Sequence, residues 1–198
     1  MCGRYLVLME GEILEYREII NEVNERYKDT PMLSSMKSGE IAPTDIAPVL
    51  TAGSTKREAM LMKWGFPKWQ GSGVIINARA ETALEKAMFR VPLLKRRCAI
   101  PSSGFFEWKH DEGRKKTKYL FRQPESPMLY MAGFYDTFSH TDSYVILTTA
   151  ANTSISPYHD RMPLILTADN VDKWLRDTVF ATDYLHMPCS VMLHASAT

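Results

Sequence analysis

The sequence predicts an α+β fold, in which a curved, largely antiparallel β-sheet or barrel-like core carries peripheral helices. Two patterns predict this class. Apolar residues between positions 13 and 27 recur every three or four residues, as in an amphipathic helix, whereas most later segments are short runs rich in β-branched and aromatic residues. A chain of 198 residues, 45% of them hydrophobic, can bury one core, and we expect a single domain over residues 1–198.

The elements follow in chain order. The first helix is predicted over residues 13–27, and Asp29, Thr30 and Pro31 end it. Residues 41–48 contain two prolines and should form an extended segment bounded by turns. The predicted strands are residues 59–64, 74–77, 97–100, 104–109, 118–121, 128–134 and 144–149. Two further helices are predicted over residues 81–89 and 168–175, the second with Asp169 as its N-cap.

The composition excludes several classes of protein. No apolar segment is long enough for a secretion signal or a membrane span, so we expect an intracellular protein. Cys2, Cys98 and Cys189 lie far apart and form neither a disulfide framework nor a metal-binding pair, and Cys98 is expected in the core. We therefore expect no cofactor and no metal.

The formal net charge of +1 conceals a segregation of charge along the chain. Residues 56–122 contain 16 Lys and Arg against 6 Asp and Glu, whereas the remainder contains 8 against 17. One interpretation is a basic face that meets a polyanion, opposite an acidic back. The alternative is that these charges are distributed over several solvated faces.

Cys2 is the residue with the most distinctive chemistry. Removal of Met1 would leave a primary amine and a thiol on adjacent carbons, with ordinary pKa values of about 7.7–8.0 and about 8.5. An aldehyde would form a Schiff base with the amine, and the sulfur would then close a five-membered thiazolidine ring. The alternative is an inert packing cysteine.

Two motifs could supply cations and an amide to such a site. Gly3 would let a ligand approach the backbone, and Arg4 would place a permanent cation beside Cys2, which suits a phosphate. Asn77 and Arg79 lie two residues apart on an extended segment, where they would share a face. Asn77 could alternatively cap a turn or a helix.

Two further motifs could supply proton transfer. Glu107 lies among aromatic residues in a predicted strand, where desolvation would raise its pKa, although an ordinary exposed glutamate is the alternative. His159 is followed by Asp160 and Arg161 in a predicted loop, which places an acid–base group beside a carboxylate and a cation.

The segment 64–69 contains Trp64 and Trp69 with Lys63 and Lys68 nearby. Rings alternating with cations suit single-stranded nucleic acid, because bases stack on the rings while lysines contact phosphates. The alternative is that the tryptophans belong to the core.

Five ordered motifs together resemble the SRAP family, the SOS-response-associated peptidases or abasic site processing proteins. They are Met-Cys-Gly-Arg at 1–4, Trp-Gly-Phe-Pro-Lys-Trp at 64–69, Asn-Ala-Arg-Ala-Glu at 77–81, Arg-Arg-Cys-Ala-Ile-Pro-Ser-Ser-Gly-Phe-Phe-Glu-Trp at 96–108 and His-Asp-Arg-Met-Pro at 159–163. The sequence departs from the family in having Phe106 in place of the usual Tyr, and Ser102–Ser103 where an Ala is common.

The resemblance implies a protein that removes its own Met1 and attaches covalently to abasic sites in single-stranded DNA, with possible lyase activity. The implied catalytic residues are Cys2, Asn77, Glu107 and His159. The implied DNA-binding residues are Arg4, Arg79, Arg161, Trp64, Trp69 and Pro43. It also implies a monomer located in the cytoplasm, associated with the nucleoid after damage, or in the nucleus of a eukaryotic cell.

Two other functions are consistent with parts of the sequence. Glutamine amidotransferases also begin with Cys-Gly, so an N-terminal nucleophile amidohydrolase is one alternative. The other is a non-catalytic single-strand binder that uses the basic segment and Trp64 or Trp69, with salt-sensitive binding indifferent to the lesion.

Overall fold

The structure is a computed structural model that describes residues 2–7, 13–110, 116–124 and 126–198. Met1 therefore lies outside the described residues. The strands are β1 (Arg4–Val7), β2 (Gly39–Ile41), β3 (Ile46–Ala52), β4 (Arg57–Trp64), β5 (Phe66–Pro67), β6 (Val74–Ile75), β7 (Asn77–Arg79), β8 (Arg97–Ser102), β9 (Gly104–His110), β10 (Lys116–Arg122), β11 (Leu129–Phe138), β12 (Thr141–Ala150), β13 (Arg161–Pro163), β14 (Ile165–Leu166) and β15 (His194–Ala197). The helices are α1 (Leu14–Arg26), α2 (Pro31–Ser34), α3 (Ala87–Lys95), α4 (Val171–Arg176) and α5 (Thr178–Tyr184), with 3₁₀ turns at Ala80–Glu85 and Ala168–Asn170.

A closed barrel forms the centre of the molecule. Its strands pair in the order β12, β4, β3, β8 and β11, and β11 closes the ring by pairing with β12. All of these pairs are antiparallel except β12–β4, which is parallel. The predicted α+β class with a barrel-like, largely antiparallel core is therefore confirmed.

A second, five-stranded sheet lies against the barrel, in the order β15, β10, β9, β1 and β2. The chain passes from the barrel to this sheet between β8 and β9, where an added Cβ at Gly104 would lie 2.5 Å from the carbonyl oxygen of Phe121. Only glycine permits so close a contact with the backbone of β10. This transition positions Glu107, three residues further along β9.

A buried aromatic cluster joins the two sheets. The Tyr5 and Tyr144 hydroxyls lie 2.6 Å apart and share a hydrogen bond, linking β1 to β12. The Trp64 ring stacks on Tyr144 at 6.3 Å between centroids and meets Tyr5 edge-on at 5.3 Å. These rings fix β1, and with it Cys2, relative to the barrel.

The first predicted helix is confirmed as α1, which buries Tyr16, Ile19 and Val23 and packs on β3 and β4. In the described part of the chain, no helix has the length and apolar character needed to cross a bilayer.

Several element predictions are wrong in detail. Residues 81–89 do not form one helix, because Lys86 is extended (φ −87°, ψ 119°) and separates a 3₁₀ turn from α3. Asp169 is not an N-cap, since it lies inside the 3₁₀ turn Ala168–Asn170 that precedes α4. The capping carboxylate belongs to Asp177, whose Oδ1 accepts from the amides of Val179 at 2.9 Å and Phe180 at 3.0 Å at the start of α5.

Part of the basic segment is neutralised by carboxylates from the rest of the chain. Cations of residues 56–122 pair with carboxylates outside that segment, in the pairs Lys56–Glu22, Arg57–Asp172, Arg96–Asp136 and Lys118–Glu40. Arg97 is buried and donates to backbone carbonyls. These contacts favour the interpretation that the charges are distributed over several faces.

Candidate active site

Cys2 lies just before β1 and is fully buried. The Asn77 side chain, at the start of β7, donates from Nδ2 to the Cys2 carbonyl oxygen at 2.9 Å. The Cys2 thiol donates to the Arg4 carbonyl oxygen at 3.6 Å. Asn77 Oδ1 is buried and accepts no hydrogen bond from the residues that the structure describes, which leaves one acceptor beside Cys2.

Glu107 occupies β9, the strand that pairs with β1, and is only 3% exposed. The predicted burial of this carboxylate is confirmed. Burial raises the pKa of Glu107, and the charge of nearby His159 acts in the opposite direction. A carboxyl group with a raised pKa can both take up and return a proton near neutral pH.

Burial also raises the pKa of the Cys2 thiol, and the negative charge of Glu107 raises it further. The thiol is therefore protonated at neutral pH in the intact chain. A nucleophilic role for Cys2 would need a base that takes up the thiol proton, and Glu107 is the carboxylate whose charge acts on it.

His159 is half-buried in the loop between β12 and β13. Its Nδ1 accepts from the Arg161 backbone amide at 2.9 Å, which requires a neutral ring with the proton on Nε2. The same Nδ1 lies 2.9 Å from Asp160 Oδ1, a contact that requires a proton on Nδ1. The two contacts need different proton positions on the ring, and Asp160 is the carboxylate that an Nδ1–H group of His159 would meet.

The loop that carries His159 is held at both ends by residues whose role the sequence did not indicate. Asn152 donates from Nδ2 to the carbonyl oxygens of Cys189 at 3.2 Å and Val191 at 2.8 Å. The Tyr158 ring packs on Tyr119 and Phe121 of β10, at 4.7 and 5.2 Å between centroids. The sequence offers one indication of this role, because Asn152 is the first polar residue after β12.

The predicted phosphate-binding arginines lie in different environments. Arg79 is exposed. Arg4 pairs with Glu40 at 2.9 Å. Arg161 donates from Nη1 and Nη2 to the two oxygens of Glu81 at 2.6 and 2.9 Å and to the Thr148 carbonyl oxygen at 2.7 Å, so a phosphate would compete with internal partners there.

The predicted stacking role of Trp64 is wrong, because its ring is fully buried and its Nε1 donates to the Ile76 carbonyl oxygen at 3.0 Å. Trp69 is 91% exposed on the connection between β5 and β6, as a stacking residue must be. Pro43 is half-buried in the turn between β2 and β3.

The site thus brings a buried cysteine, an amide, a carboxyl group and an imidazole to the junction of the barrel and the second sheet. Within the described ranges, no three His, Cys, Asp or Glu side chains are grouped as metal ligands. The residues present suit nucleophilic and acid–base chemistry by protein side chains.

The barrel and the site define an α+β protein with a buried cysteine at position 2. Sequence comparison identifies the family. The family model described as SOS response associated peptidase (SRAP) matches residues 1–193, and the chain belongs to this family.

Relatives from two bacteria agree. The chain is 34% identical over 197 residues to the abasic site processing protein YoqW of Bacillus subtilis, covering 93% of this chain and 84% of the relative. It is 27% identical over 187 residues to the abasic site processing protein YedK of Escherichia coli, covering 90% and 81% of the two chains. A crystal structure of a protein from Bacteroides thetaiotaomicron superposes with a TM-score of 0.76 at 26% identity, covering 99% of this chain and 91% of that one.

Proposed function

We propose that this protein processes abasic sites in single-stranded DNA by capturing the sugar aldehyde covalently at Cys2, after Met1 has been removed. The observation that carries the proposal is the placement of Cys2 against Asn77 and Glu107, with His159 close enough for its charge to lower the pKa of Glu107. The names of relatives in the same family support DNA with abasic sites as the substrate.

The first step frees the aminothiol. Hydrolysis of the Met1–Cys2 peptide bond consumes one water and leaves the α-amine of Cys2 beside its own thiol. We propose that the protein carries out this cleavage itself, with Glu107 as the proton-transfer group and Asn77 holding the Cys2 carbonyl group.

The second step opens the sugar. An abasic sugar is mostly a closed hemiacetal, so its ring oxygen must gain a proton before the aldehyde appears. His159 would supply that proton, since Asp160 stabilises the charged ring and Arg161 N–H stabilises the neutral one.

The third step forms the adduct. The amine attacks the aldehyde carbon, and the resulting carbinolamine loses water to give an imine. The Cys2 sulfur then adds to the imine carbon, the thiol proton passes to nitrogen, and a thiazolidine results. Glu107 would accept the proton from the amine and return it to the leaving hydroxyl, as a buried carboxyl group with a raised pKa can do.

The test is incubation of the purified protein with a single-stranded oligonucleotide carrying one abasic site, followed by a denaturing gel after heating. We expect a heat-stable adduct from the wild type and none from Cys2→Ala, which retains the amine and should be trapped only with borohydride. Cys189→Ala, which keeps Cys2, is the matched control and should react as the wild type does. A heat-stable Cys2→Ala adduct without reductant, or no wild-type adduct, would reject the proposal.

The intact mass of the same preparation tests the first step. We expect the wild-type mass to be lower by one methionine residue, because an amine blocked by Met1 cannot form the ring. Wild-type protein that retains Met1 and still forms the adduct would contradict the proposed chemistry.

The role of His159 is tested with two aldehydes. His159→Gln should slow adduct formation with the natural cyclic sugar by roughly 100-fold, the size typical of a lost acid–base group. It should have little effect with an oligonucleotide that carries an acyclic aldehyde, because that substrate needs no ring opening. Equal slowing with both substrates would assign His159 to a different step.

A further inference from the structure

The outer face of the five-stranded sheet carries a charged cluster that the proposed chemistry does not use. Cross-strand register places Leu6 opposite Glu40, Arg4 opposite Phe106, and Trp108 opposite Lys118. Directly opposed residues share a face of the sheet. Arg4, Glu40, Lys118 and the two aromatic rings therefore form one surface, on the face opposite to Phe105 and Glu107.

One carboxylate holds two cations on this surface. Arg4 Nη1 donates to Glu40 Oε1 at 2.9 Å, and Lys118 Nζ donates to Glu40 Oε2 at 2.6 Å. The three side chains are 45%, 31% and 26% exposed, so solvent reaches the whole cluster. Glu40 belongs to the edge strand β2 and bridges across β1 and β9 to reach Lys118 on β10.

The aromatic rings fix the lysine. Lys118 Nζ lies 4.0 Å from the centre of the Phe106 ring and 5.7 Å from that of Trp108. A cation within about 6 Å of a ring face is attracted by the ring. Lys118 would therefore keep its position if Glu40 moved away.

We propose that Lys118 joins Arg4, whose phosphate contact the family resemblance already implies, in one subsite for a phosphate of the DNA strand, and that Glu40 occupies this subsite until a phosphate displaces it. The inference rests on the proposed function, because Arg4 lies two residues from Cys2 and a strand whose abasic sugar reaches Cys2 must pass close to Arg4. The Glu40 carboxylate offers one oxygen to each cation, and a phosphate could offer two of its oxygens in the same way.

The energies allow the exchange. Ion pairs that solvent reaches contribute little net free energy, so the Glu40 contacts are weak. A DNA strand gains additional free energy at low salt from the release of condensed counterions. Displacement of Glu40 by a phosphate is therefore favourable at low salt and becomes less so as salt increases.

Binding of an intact single-stranded oligonucleotide, measured by fluorescence anisotropy at low salt, tests the subsite. Glu40→Gln should bind roughly two- to tenfold more tightly than the wild type, because it removes a competitor from two ion pairs. Glu58→Gln is the matched control: it removes the same charge from a pair with Arg26, and its affinity should stay within twofold of the wild type.

Lys118→Met tests the other side of the subsite. It should weaken binding and make the slope of log affinity against log salt shallower by about 0.7, the contribution of one phosphate contact on a single strand. Should Glu40→Gln fold poorly, Glu40→Asp provides the same test, because the shorter carboxylate cannot reach both cations. Glu40→Gln binding no more tightly than Glu58→Gln would overturn the proposal, as would an unchanged salt slope in Lys118→Met.

The binding measurements test the subsite independently of the adduct assay, which tests the proposed function. Wild-type protein that forms no adduct while Glu40→Gln binds DNA more tightly would reject the proposed function and leave the subsite in place. A normal wild-type adduct together with equal binding by Glu40→Gln and Glu58→Gln would reject the subsite alone.

Discussion

Glu107 is placed where a carboxylate is unfavourable for folding. The residue is almost completely buried in β9, and burial raises its pKa above the ordinary value of 4.5. A group whose pKa is raised in the folded state favours folding below its unfolded pKa and loses that contribution as pH rises through the folded pKa. Folding free energy is thus given up at neutral pH to keep a carboxyl group in the candidate site.

We expect Glu107→Gln to stabilise the fold while slowing adduct formation. The neutral amide removes the cost of a buried charge, so the free energy of unfolding at pH 8 should rise by about 1 kcal/mol. The gain should shrink as pH falls through the raised pKa of folded Glu107 and should be gone below the ordinary value of 4.5, where the carboxyl group is neutral in both the folded and the unfolded protein. Urea denaturation at several pH values measures this change, and adduct formation should slow by roughly 100-fold or more.

Glu58→Gln again serves as the control, because its carboxylate is partly exposed and its removal should change the stability little at any pH. A Glu107→Gln variant that is less stable than the wild type at pH 8 would show that the carboxylate contributes to folding.

At the scale of elements, one arginine joins three helices. Arg97 donates from Nε to the Trp174 carbonyl oxygen at 2.5 Å and from Nη1 to that of Leu94 at 2.7 Å, near the C-terminal ends of α4 and α3. Its Nη2 reaches Thr178 Oγ1 at the start of α5 at 3.2 Å. Carbonyl groups at helix ends have no intrahelical partner, and a buried guanidinium satisfies several of them together.

We expect Arg97→Met to destabilise the protein by roughly 3 kcal/mol or more, because several buried carbonyl groups lose a charged donor. Arg97→Lys should destabilise the protein less than Arg97→Met does, since an ammonium group keeps the charge but cannot reach all of these carbonyl groups. The adjacent Arg96→Met is the control: Arg96 pairs with Asp136 near the surface, and its loss should cost less than about 1 kcal/mol. Equal midpoints of urea unfolding for the Arg97 and Arg96 variants would contradict this assignment.

The elements differ in how well the sequence predicts them. The runs 59–64, 128–134 and 144–149 became β4, β11 and β12, because apolar residues dominate each run and each contains at least one aromatic residue. The sequence does not predict β3 as a strand because it contains Pro48. In the structure, Pro48 lies on a part of β3 that pairs with β4 alone. The ladder to β8 comprises only Leu50–Ala99 and Thr51–Cys98. A proline is tolerated where its missing amide has no partner to lose, and only the fold determines where that is.

The candidate site shows the same limit. Sequence motifs predict Cys2, Asn77 and Glu107 as site residues, because the residue type alone indicates a thiol, an amide and a carboxyl group. The carboxylates that hold the arginines were not predicted, because Glu40 and Glu81 approach Arg4 and Arg161 from 36 and 80 residues away. Such contacts depend on strand register and topology, on which local patterns carry no information.

At the scale of the whole molecule, closure of the barrel determines where Asn77 lies. β11 and β12 close the ring, with Gly133 opposite Ile146. Ile146 is in turn paired, in parallel, with Asn77 on β7. The distance between β11 and β12 at Gly133 therefore affects the position of the Asn77 amide, which binds the Cys2 carbonyl group.

Gly133 permits that separation because it has no side chain. An added Cβ would lie 2.6 Å from the Val145 carbonyl oxygen, 2.6 Å from Ile100 Cδ1 and 3.3 Å from Cys98 Sγ. The Ile100 methyl group can rotate away, but the carbonyl oxygen is part of β12 and moves only with its strand. Any accommodation must therefore shift β12 next to Ile146.

We expect Gly133→Ala to cost about 1–3 kcal/mol, the range of overpacked cores, although replacing glycine with alanine also restricts the unfolded chain, which by itself favours folding. Adduct formation should slow by roughly 10-fold or more, because a shift of about 1 Å in a positioning group reduces catalysis strongly. Urea denaturation and the adduct assay measure the two effects, and Gly133→Val should increase both. A Gly133→Ala variant as stable and as reactive as the wild type would show that closure of the barrel is not what positions Asn77.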